Sequence, residues 1–244
     1  MIAAQTRLRN IAVVLAGGVG MRLGKPLPKQ YLKIHGRMVF EYTVDAFEKA
    51  ELIDEIALVC SPEFEGLMLE SIEKNQWKKV KKVLFGGAER YFSTLAAVKA
   101  FDQDPEHTNL IFHDAVRPLV SQRIIRETVE ALNRVTAVDV AAPVSDTILE
   151  FDPKSRKVLQ IPDRSVWLKG QTPQAFRASV ISKAFELGLK DPNFGTTDDC
   201  SVVKQYLPEV PVYVVLGSER NMKLTFPEDL PTIERFLQTP ENDG

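Results

Sequence analysis

The stretch Ile11-Ala-Val-Val-Leu-Ala-Gly-Gly-Val-Gly-Met-Arg-Leu-Gly-Lys-Pro-Leu-Pro-Lys-Gln-Tyr31 decides how the chain is organised. Its opening run, 11–15, is apolar and rich in β-branched residues, which predicts a strand buried on both faces. Glycines follow at positions 17, 18, 20 and 24. Glycine lets the backbone turn and approach a ligand closely, and successive backbone N–H groups in such a loop attract anions. With the cations Arg22, Lys25 and Lys29 nearby, this stretch predicts a polyphosphate site.

The spacing of the glycines excludes the two most common phosphate motifs. The dinucleotide fingerprint Gly-x-Gly-x-x-Gly fails because Leu23 stands at its third glycine. The P-loop pattern fails because Val19 and Pro26 stand where it requires glycine and Ser or Thr. A flexible loop without a ligand is the alternative, but Pro26 and Pro28 each fix φ and argue against flexibility.

The bulk composition is that of an ordinary soluble globular protein. A length of 244 residues favours one domain, 1–244, and the net charge of −2 gives no reason to expect nucleic acid or a membrane as a partner. No apolar run approaches a membrane span, and residues 1–10 lack the apolar core of a secretion signal. Cys60 and Cys200 have neither metal nor redox spacing, so a cytoplasmic protein is expected.

Strand and helix patterns alternate along the chain, which predicts an α/β, Rossmann-like, mainly parallel sheet with helices on both faces. The predicted strands are 11–15, 55–60, 80–85, 110–112, 137–143 and 212–215. The predicted helices are 39–50, 64–75, 91–101, 123–132, 178–187, 198–205 and 230–237. In such a sheet ligands bind beyond the carboxyl ends of the strands. This rule selects the segments 16–29, 86–90 and 113–117.

The rhythm changes between residues 145 and 169. Short extended runs at 146–151 and 157–160 flank Asp152-Pro-Lys-Ser155, a turn-forming sequence. We therefore predict a β-hairpin arm that projects from the sheet. The polar stretches 169–174 and 220–225 lie outside any clear helix, and we predict neither a helix nor a strand for them.

Two further segments carry candidate chemistry. Asp114, at the end of a predicted strand, is suited to hold Mg²⁺ against phosphate oxygens, and Arg117 would pair with phosphate or anchor Asp114. The alternative is a structural salt bridge in a turn. Gly86 and Gly87, with the hydroxyl of Ser93, would read the edge of a nucleobase, or form an ordinary turn and helix start.

Three more polar positions have ordinary structural roles as their simplest interpretation. Thr197 or Asp198 would cap the following helix, which does not exclude a ligand role for Thr197. A lone Lys223 would by default be a solvated surface lysine. Cys200 has no nearby histidine partner and is not expected to be a nucleophile.

Taken in order, these motifs resemble the cytidylyltransferases that act on methylerythritol 4-phosphate or ribitol 5-phosphate. The resemblance covers residues 11–237. It is carried by Leu15-Ala-Gly-Gly18, Pro28-Lys-Gln-Tyr31, Gly86-Gly87 with Arg90, His113-Asp-Ala-Val-Arg-Pro118, Asp146-Thr147, Gln171-Thr-Pro-Gln174, Thr197-Asp198 and Asn221-Met-Lys-Leu-Thr225.

The resemblance implies a role for each matching residue. Catalytic residues would be Arg22, Lys29 and Lys223. The CTP pocket would be formed by Leu15, Ala16, Gly17, Gly18, Gly20, Gly86, Gly87, Arg90, Ser93, Asp114 and Ala115, with Asp114 also binding Mg²⁺. The polyol phosphate would be bound by Arg117, Thr147, Arg164, Thr172 and Thr197. The arm 145–169 would join two subunits of a homodimer, so that Thr147 or Arg164 serves the partner's site.

Within the family, the resemblance leans towards the ribitol branch. Leu15 and Val116 differ from the residues usual in the methylerythritol branch, as does Ser145, and Gly170 is similar to the ribitol branch. Asp199, where alanine is common in the ribitol enzymes, points the other way and keeps methylerythritol 4-phosphate or another pentitol phosphate open.

The expected reaction joins CTP and a polyol phosphate to give a CDP-polyol and pyrophosphate. The attacking phosphate has a second pKa of about 6, so it is already mostly dianionic at neutral pH and needs no side-chain base. Two other classes are the alternatives. The first is an NAD-dependent oxidoreductase, but the chain lacks the glycine spacing of that class. The second is a non-catalytic nucleotide-binding module, which would bind Mg²⁺–CTP without releasing pyrophosphate.

Overall fold

The computed structural model describes residues 7–18, 27–87 and 89–239. A seven-stranded sheet lies at its centre. Its strands are β1 (Arg9–Leu15), β4 (Glu55–Cys60), β5 (Val80–Phe85), β6 (Thr108–Asp114), β7 (Ala137–Pro143), β10 (Leu168–Arg177) and β11 (Tyr213–Leu216). Their order across the sheet is β11-β7-β10-β6-β1-β4-β5. Strand β10 runs against its neighbours, β6 and β7, and the other pairs in this sheet are parallel.

Helices cover both faces of the sheet. They are α1 (Val39–Lys49), α2 (Glu65–Asn75), α3 (Arg90–Ala100), α4 (Gln122–Ala131), α5 (Ala178–Gly188), α6 (Asp199–Tyr206) and α7 (Asp229–Gln238). One apolar cluster joins the sheet to α1, α2 and α4, and a second joins the opposite face to α3, α5 and α6. Because each core strand lies between two apolar layers, β1 and β6 are continuous buried runs rather than alternating ones.

The strand order places a ligand crevice at the carboxyl end of β1. The chain proceeds from β1 to β4 and β5 on one side, then returns to β6 on the other, so β1 marks the point where the strand order reverses. Leu15 of β1 and Asp114 of β6 are paired in register at this edge. Ligands bind at such switch points in open α/β sheets, which directs attention to the segments after Leu15 and Asp114.

Most predicted elements are confirmed. The predicted strands 55–60, 80–85 and 137–143 have the observed bounds, and each predicted helix lies within two residues of the observed one. Strand β10 was not predicted, because Gly170 and Pro173 are both unusual within a strand. Its polar side chains Gln171, Thr172 and Gln174 are nonetheless buried.

The predicted arm forms a separate two-stranded antiparallel sheet of β8 (Glu150–Asp152) and β9 (Lys157–Gln160). The first strand of the arm is shorter than the predicted run 146–151, because residues 146–149 make no ladder. A second small hairpin, β2 (Lys33–Ile34) and β3 (Arg37–Met38), was not predicted. In the described part of the chain, no helix has the length and apolarity needed to cross a membrane.

Candidate active site

Three small residues bring the two glycine segments together. The Ser93 side chain, on α3, is buried and lies so close to Gly17 and Gly86 that a Cβ on either would meet Ser93 Oγ, at 2.9 and 2.3 Å. Only glycine leaves this room. The loop after β1 and the loop after β5 therefore lie side by side against Ser93.

Hydrogen bonds hold the described part of the first glycine loop. Gln30 Nε2 donates to the carbonyl oxygens of Ala16, at 2.7 Å, and Gly18, at 2.8 Å. The backbone N–H of Ala115 donates to Leu15 O at 3.0 Å, which ties the loop after β6 to the end of β1. Gln30 was not among the predicted site residues, although it is part of the Pro-Lys-Gln motif. Its two hydrogen bonds fix the backbone of the loop directly after β1.

Asp114 is the centre of a cluster of positive charge. Lys223 Nζ donates to Asp114 Oδ2 at 2.8 Å, Arg117 Nε lies 3.6 Å from the same oxygen, and Arg90 Nε lies 3.8 Å from Oδ1. Burial alone would raise the pKa of Asp114, but the charges of Lys223, Arg90 and Arg117 outweigh it and hold that pKa well below its ordinary value. Three cations from distant parts of the sequence therefore converge on one carboxylate.

His113 fixes the geometry next to Asp114. Its Nε2 lies 3.1 Å from the carbonyl oxygen of Arg117, which only accepts, so this nitrogen carries the proton. Thr172 Oγ1, 3.0 Å from Nδ1, then donates to His113 and accepts the N–H of Asp114 at 3.2 Å. Burial lowers the pKa of His113 to about 4, so the ring is neutral at neutral pH. His113 is a structural link and not a cation for phosphate.

Arg117 is more deeply buried than a surface phosphate-binding arginine, with only 9% of its surface exposed. Its NH1 donates to the carbonyl oxygen of Asn221 at 2.7 Å, which anchors the segment that carries Lys223. Its Nε has no hydrogen-bond partner among the described residues. Arg117 therefore anchors both Asp114 and the segment that carries Lys223.

Arg90 is held from the opposite side by a buried carboxylate. Arg90 NH1 donates to Asp199 Oδ2 at 2.7 Å, and Thr94 Oγ1 donates to Asp199 Oδ1 at 2.8 Å. Asp199 is fully buried at the start of α6, where its N–H donates to Gln174 Oε1 at 2.9 Å. In the sequence this position is notable only as a departure from the alanine that is common in the ribitol enzymes. Its contact with Arg90 is across 109 residues, which no local pattern reveals.

A cavity of about 280 Å³ opens beside this cluster. Residues from six segments line it: Arg90, Asp114, Arg117, Asp139, Gly170, Gln171, Thr172, Gln174, Thr197, Asp198 and Lys223. The predicted residues Thr172, Thr197 and Lys223 thus meet at one cavity. The interpretation of Lys223 as an isolated surface lysine is wrong, because its ammonium group bonds to Asp114.

Some predicted residues lie elsewhere or outside the described residues. Thr147 and Arg164 are exposed on the arm and do not line this cavity. Arg164 instead donates to the carbonyl oxygen of Ser145. Gly20 and Arg22 fall outside the described residues. Lys29 begins a 3₁₀ helix one residue before Gln30, next to the glycine loop.

The donor set suits a magnesium ion that is brought by a nucleotide. Mg²⁺ is commonly held by one or two carboxylates together with phosphates and water. Asp114 supplies one carboxylate, and its Oδ1 makes only a long contact with Arg90. In the described part of the chain, no group of three or more His, Cys, Asp or Glu residues could hold a metal without help.

A doubly covered α/β sheet, glycine loops at its switch point and a cationic cluster beside them define a nucleotidyltransferase. Residues 10–239 match the family described as IspD: 2-C-methyl-D-erythritol 4-phosphate cytidylyltransferase. The chain belongs to this family of cytidylyltransferases.

Two relatives show the range of the family. The chain is 42% identical over 239 residues to the 2-C-methyl-D-erythritol 4-phosphate cytidylyltransferase of Thermobifida fusca. This match covers 97% of this chain and 96% of that protein. It is also 42% identical over 231 residues to the bifunctional ribulose 5-phosphate reductase/CDP-ribitol pyrophosphorylase Bcs1 of Haemophilus influenzae. That match covers 95% of this chain but 48% of Bcs1, so the chain spans about half of that relative's length.

Solved structures support the fold. The 4-diphosphocytidyl-2C-methyl-D-erythritol synthase of Anaerococcus prevotii superposes with a TM-score of 0.83 at 31% identity, over 95% of this chain and 96% of that one. The predicted α/β fold and the predicted cytidylyltransferase family are confirmed. Most of the relatives carry the methylerythritol name, which favours the alternative over the ribitol branch that the sequence motifs favoured.

Proposed function

We propose that this chain transfers the cytidylyl group of CTP to a polyol phosphate, with 2-C-methyl-D-erythritol 4-phosphate as the first candidate. A phosphate oxygen of the polyol phosphate attacks the α-phosphorus of CTP. The bond between this phosphorus and the oxygen bridging to the β-phosphate breaks, and pyrophosphate leaves. The products are a CDP-polyol and pyrophosphate.

The observation that carries the proposal is the convergence of Lys223, Arg117 and Arg90 on Asp114 beside the glycine loops. The reaction brings two polyanions together, so its main barrier is electrostatic. Positioning and charge stabilisation supply most of the catalysis in phosphoryl transfer. A preformed group of cations meets that need without a general base.

Each residue then has a definite task. Arg90, fixed by Asp199, and Ser93 orient the nucleotide. Lys223 is the cation whose side chain can reach outwards, because it is 41% exposed while its partner Asp114 is 11% exposed. When the phosphates bind, they take the place of Asp114 as the counter-ion of Lys223. Lys29, next to the glycine loop, would stabilise the transition state, and Arg22 would assist the departure of pyrophosphate.

Asp114 would hold Mg²⁺ together with the triphosphate oxygens. The ion would supply charge neutralisation of the phosphates. Asp114 is suited to this because the neighbouring cations hold its pKa low and keep it ionised at every physiological pH. The same neighbours also fix the direction in which its carboxylate points.

Ribitol 5-phosphate is the second candidate for the polyol. The bifunctional relative whose name includes CDP-ribitol pyrophosphorylase is as similar in identity as the methylerythritol relative. The motif departures around Val116 and Gly170 point the same way. Both candidates share one reaction and one phosphate-binding requirement, so they differ only in the carbon chain that the cavity must accept.

A second copy of the chain would complete the site. The arm exposes apolar side chains that a stable protein usually covers, including Phe151 at 57%, Leu159 at 61% and Val166 at 80%. Thr147 and Arg164 lie on this arm and away from the chain's own cavity. An arm that reaches a partner subunit would cover the apolar surface and bring both residues to the partner's cavity.

A pyrophosphate-release assay tests the proposal. CTP and Mg²⁺ are offered with methylerythritol 4-phosphate and, in parallel, with ribitol 5-phosphate. Higher kcat/KM with the first polyol supports the first candidate, and the reverse result selects the second. If CTP binds but neither these two compounds nor another pentitol phosphate releases pyrophosphate, the chain is a nucleotide-binding module and the proposed reaction is wrong.

A further inference from the structure

One acidic side chain in the cavity has no role in the reaction described so far. Asp139 lies on β7, opposite Gln174 of β10, and both side chains line the cavity with Thr172, Thr197 and Lys223. No described lysine or arginine forms a salt bridge with Asp139. Its carboxylate accepts a hydrogen bond from Gln174 Nε2 to Oδ1, at 3.1 Å.

A carboxylate is an unexpected neighbour for a phosphate, since like charges repel. The cations of the cavity form their salt bridges with Asp114, whereas Asp139 lies next to Asp198, both bonded to Gln174 Nε2. Asp139 acts on Arg117 only at longer range: burial lowers the pKa of Arg117, and the charge of Asp139 helps to offset this effect. The cavity therefore has a cationic end and an anionic end. The phosphate belongs at the cationic end, and the carbon chain of the substrate extends towards Asp139.

Resting on the function proposed above, we propose that Asp139 is a specificity-determining residue that accepts hydrogen bonds from hydroxyl groups of the polyol chain. A carboxylate has lone pairs for several donors, and adjacent hydroxyls of a polyol supply such donors. Ribitol 5-phosphate and methylerythritol 4-phosphate both carry them. Hydroxyl donors from a ligand would add to the hydrogen bond that Asp139 accepts from Gln174.

A second polar group points to a ligand in the same cavity. Arg117 is nine-tenths buried and lines the cavity, where its Nε lies 3.6 Å from Asp114 Oδ2 and makes no closer hydrogen bond with a described residue. Arg117 and Lys223 thus supply positive charge at the cationic end, and Asp139 offers acceptors at the other. A phosphate at one end of a chain of hydroxyls matches both. Burial also raises the pKa of Asp139 to about 6, with Asp198 adding to the effect, which is consistent with a carboxylate that lacks a cation.

Gln174 holds this arrangement in place. Its Nε2 bonds to Asp139 and Asp198, while its Oε1 accepts the N–H of Asp199. Because Asp199 in turn binds Arg90, the hydroxyl-binding side and the nucleotide side are joined through one amide. The position of the Asp139 side chain is therefore fixed by the same hydrogen bonds that hold the cationic cluster around Asp114.

The test compares the wild type with Asp139→Asn, which keeps the shape but loses the charge, and with Asp139→Ser as a second variant. Asp102→Asn, an exposed aspartate outside the cavity, is the matched control. Pyrophosphate release is measured with whichever of the two polyol phosphates the wild type uses better. We expect kcat/KM for that polyol phosphate to fall about 10- to 100-fold in both Asp139 variants, with the KM for CTP within twofold of wild type.

Inorganic phosphate separates hydroxyl recognition from a general structural effect. As a competitive inhibitor it probes the cationic end alone, so its inhibition constant should stay within twofold in Asp139→Asn. An equal rise in the inhibition constant of phosphate and in the KM for CTP would overturn the inference, because it would mean that the whole site is distorted. An unchanged KM and kcat/KM for the polyol phosphate would overturn it as well.

Failure of the inference and failure of the proposed function give different results. If the wild type turns over no polyol phosphate, calorimetry with an α,β-methylene analogue of CTP measures polyol-phosphate binding directly. In that case, if the wild type binds the polyol phosphate and Asp139→Asn does not, the proposed transfer reaction is rejected but the role of Asp139 in binding is supported. Absence of binding to the wild type would overturn both.

Discussion

Replacing Lys223 by methionine should remove most of the activity while leaving the fold nearly as stable as before. The ammonium group lies 2.8 Å from Asp114, but 41% of the side chain is exposed. Solvent therefore screens the pair, and such exposed salt bridges contribute at most about 1 kcal/mol to the free energy of unfolding. Asp114 also keeps Arg90 and Arg117. Loss of Lys223 thus leaves no buried charge without a partner.

The effect on the reaction is expected to be larger. A preorganised group that stabilises developing charge is worth roughly 3 kcal/mol, which corresponds to a fall in kcat of about 100-fold. The assay is pyrophosphate release with both substrates saturating, together with urea unfolding of the same preparation. Lys190→Met is the control, because Lys190 also forms a 2.8 Å ion pair, with Glu186, but lies exposed in the turn after α5 and does not line the cavity.

Two results would refute this reasoning. If Lys223→Met keeps a kcat within about threefold of wild type, the lysine does not stabilise the transition state. If its free energy of unfolding falls by far more than about 1 kcal/mol, the loss of activity is a consequence of damage to the fold. The Lys190→Met variant should match wild type in turnover in either case.

Four further outcomes are expected. Lys29→Met should lower kcat about 100-fold at saturating CTP, measured by pyrophosphate release, and a normal rate would remove Lys29 from the catalytic group. Asp199→Asn should raise the KM for CTP about tenfold, because Arg90 loses its 2.7 Å ion pair and keeps only the 3.8 Å contact with Asp114, and an unchanged KM would contradict that positioning role. Asp139→Asn should raise the free energy of unfolding at pH 7.5 by about 1–3 kcal/mol. The pKa of the folded carboxyl is about 6, above its unfolded value of 3.8, so the wild type loses stability as the pH rises from the unfolded pKa through the folded one. Urea unfolding of both proteins at pH 4 and 7.5 checks this difference. Val166→Asp should convert a dimer to monomers in analytical ultracentrifugation and lower turnover, whereas a wild-type monomer would reject the proposed arm contact.

Local patterns predicted the sheet well but missed its antiparallel strand. The apolar runs around Val13 and Leu58 have to be buried on both faces, so composition alone identifies them as core strands. In β10, by contrast, Gln171, Thr172 and Gln174 are polar because they face the cavity and bond to His113, Asp139 and Asn221. The demands of the site overrode the usual strand composition there, as is expected at functional positions.

In the candidate site, too, local sequence patterns predict some residues and miss others. The glycines of the first loop and Asp114 could be found from the sequence, because glycines and an aspartate directly after buried strands are typical of phosphate and Mg²⁺ sites. The partners that hold them could not be found. Asp199 and Arg90 are 109 residues apart, and Asp139 is one carboxylate within an otherwise apolar strand. Such pairings depend on the register between β7, β10 and α6, which no local periodicity encodes.

The separation of charge within the cavity explains why the protein tolerates an unfavourable residue. An ionised Asp139 destabilises the fold near neutral pH, because burial raises its pKa and no described cation pairs with it. A neutral residue would be more stable at this position. Stability lost at one side chain that faces a cavity is typical of a binding residue, since activity and stability often conflict at such sites. The same negative charge also repels a phosphate from the wrong end of the cavity. It would therefore orient the polyol phosphate with its nucleophilic oxygens towards Lys223, before any contact with the nucleotide is made.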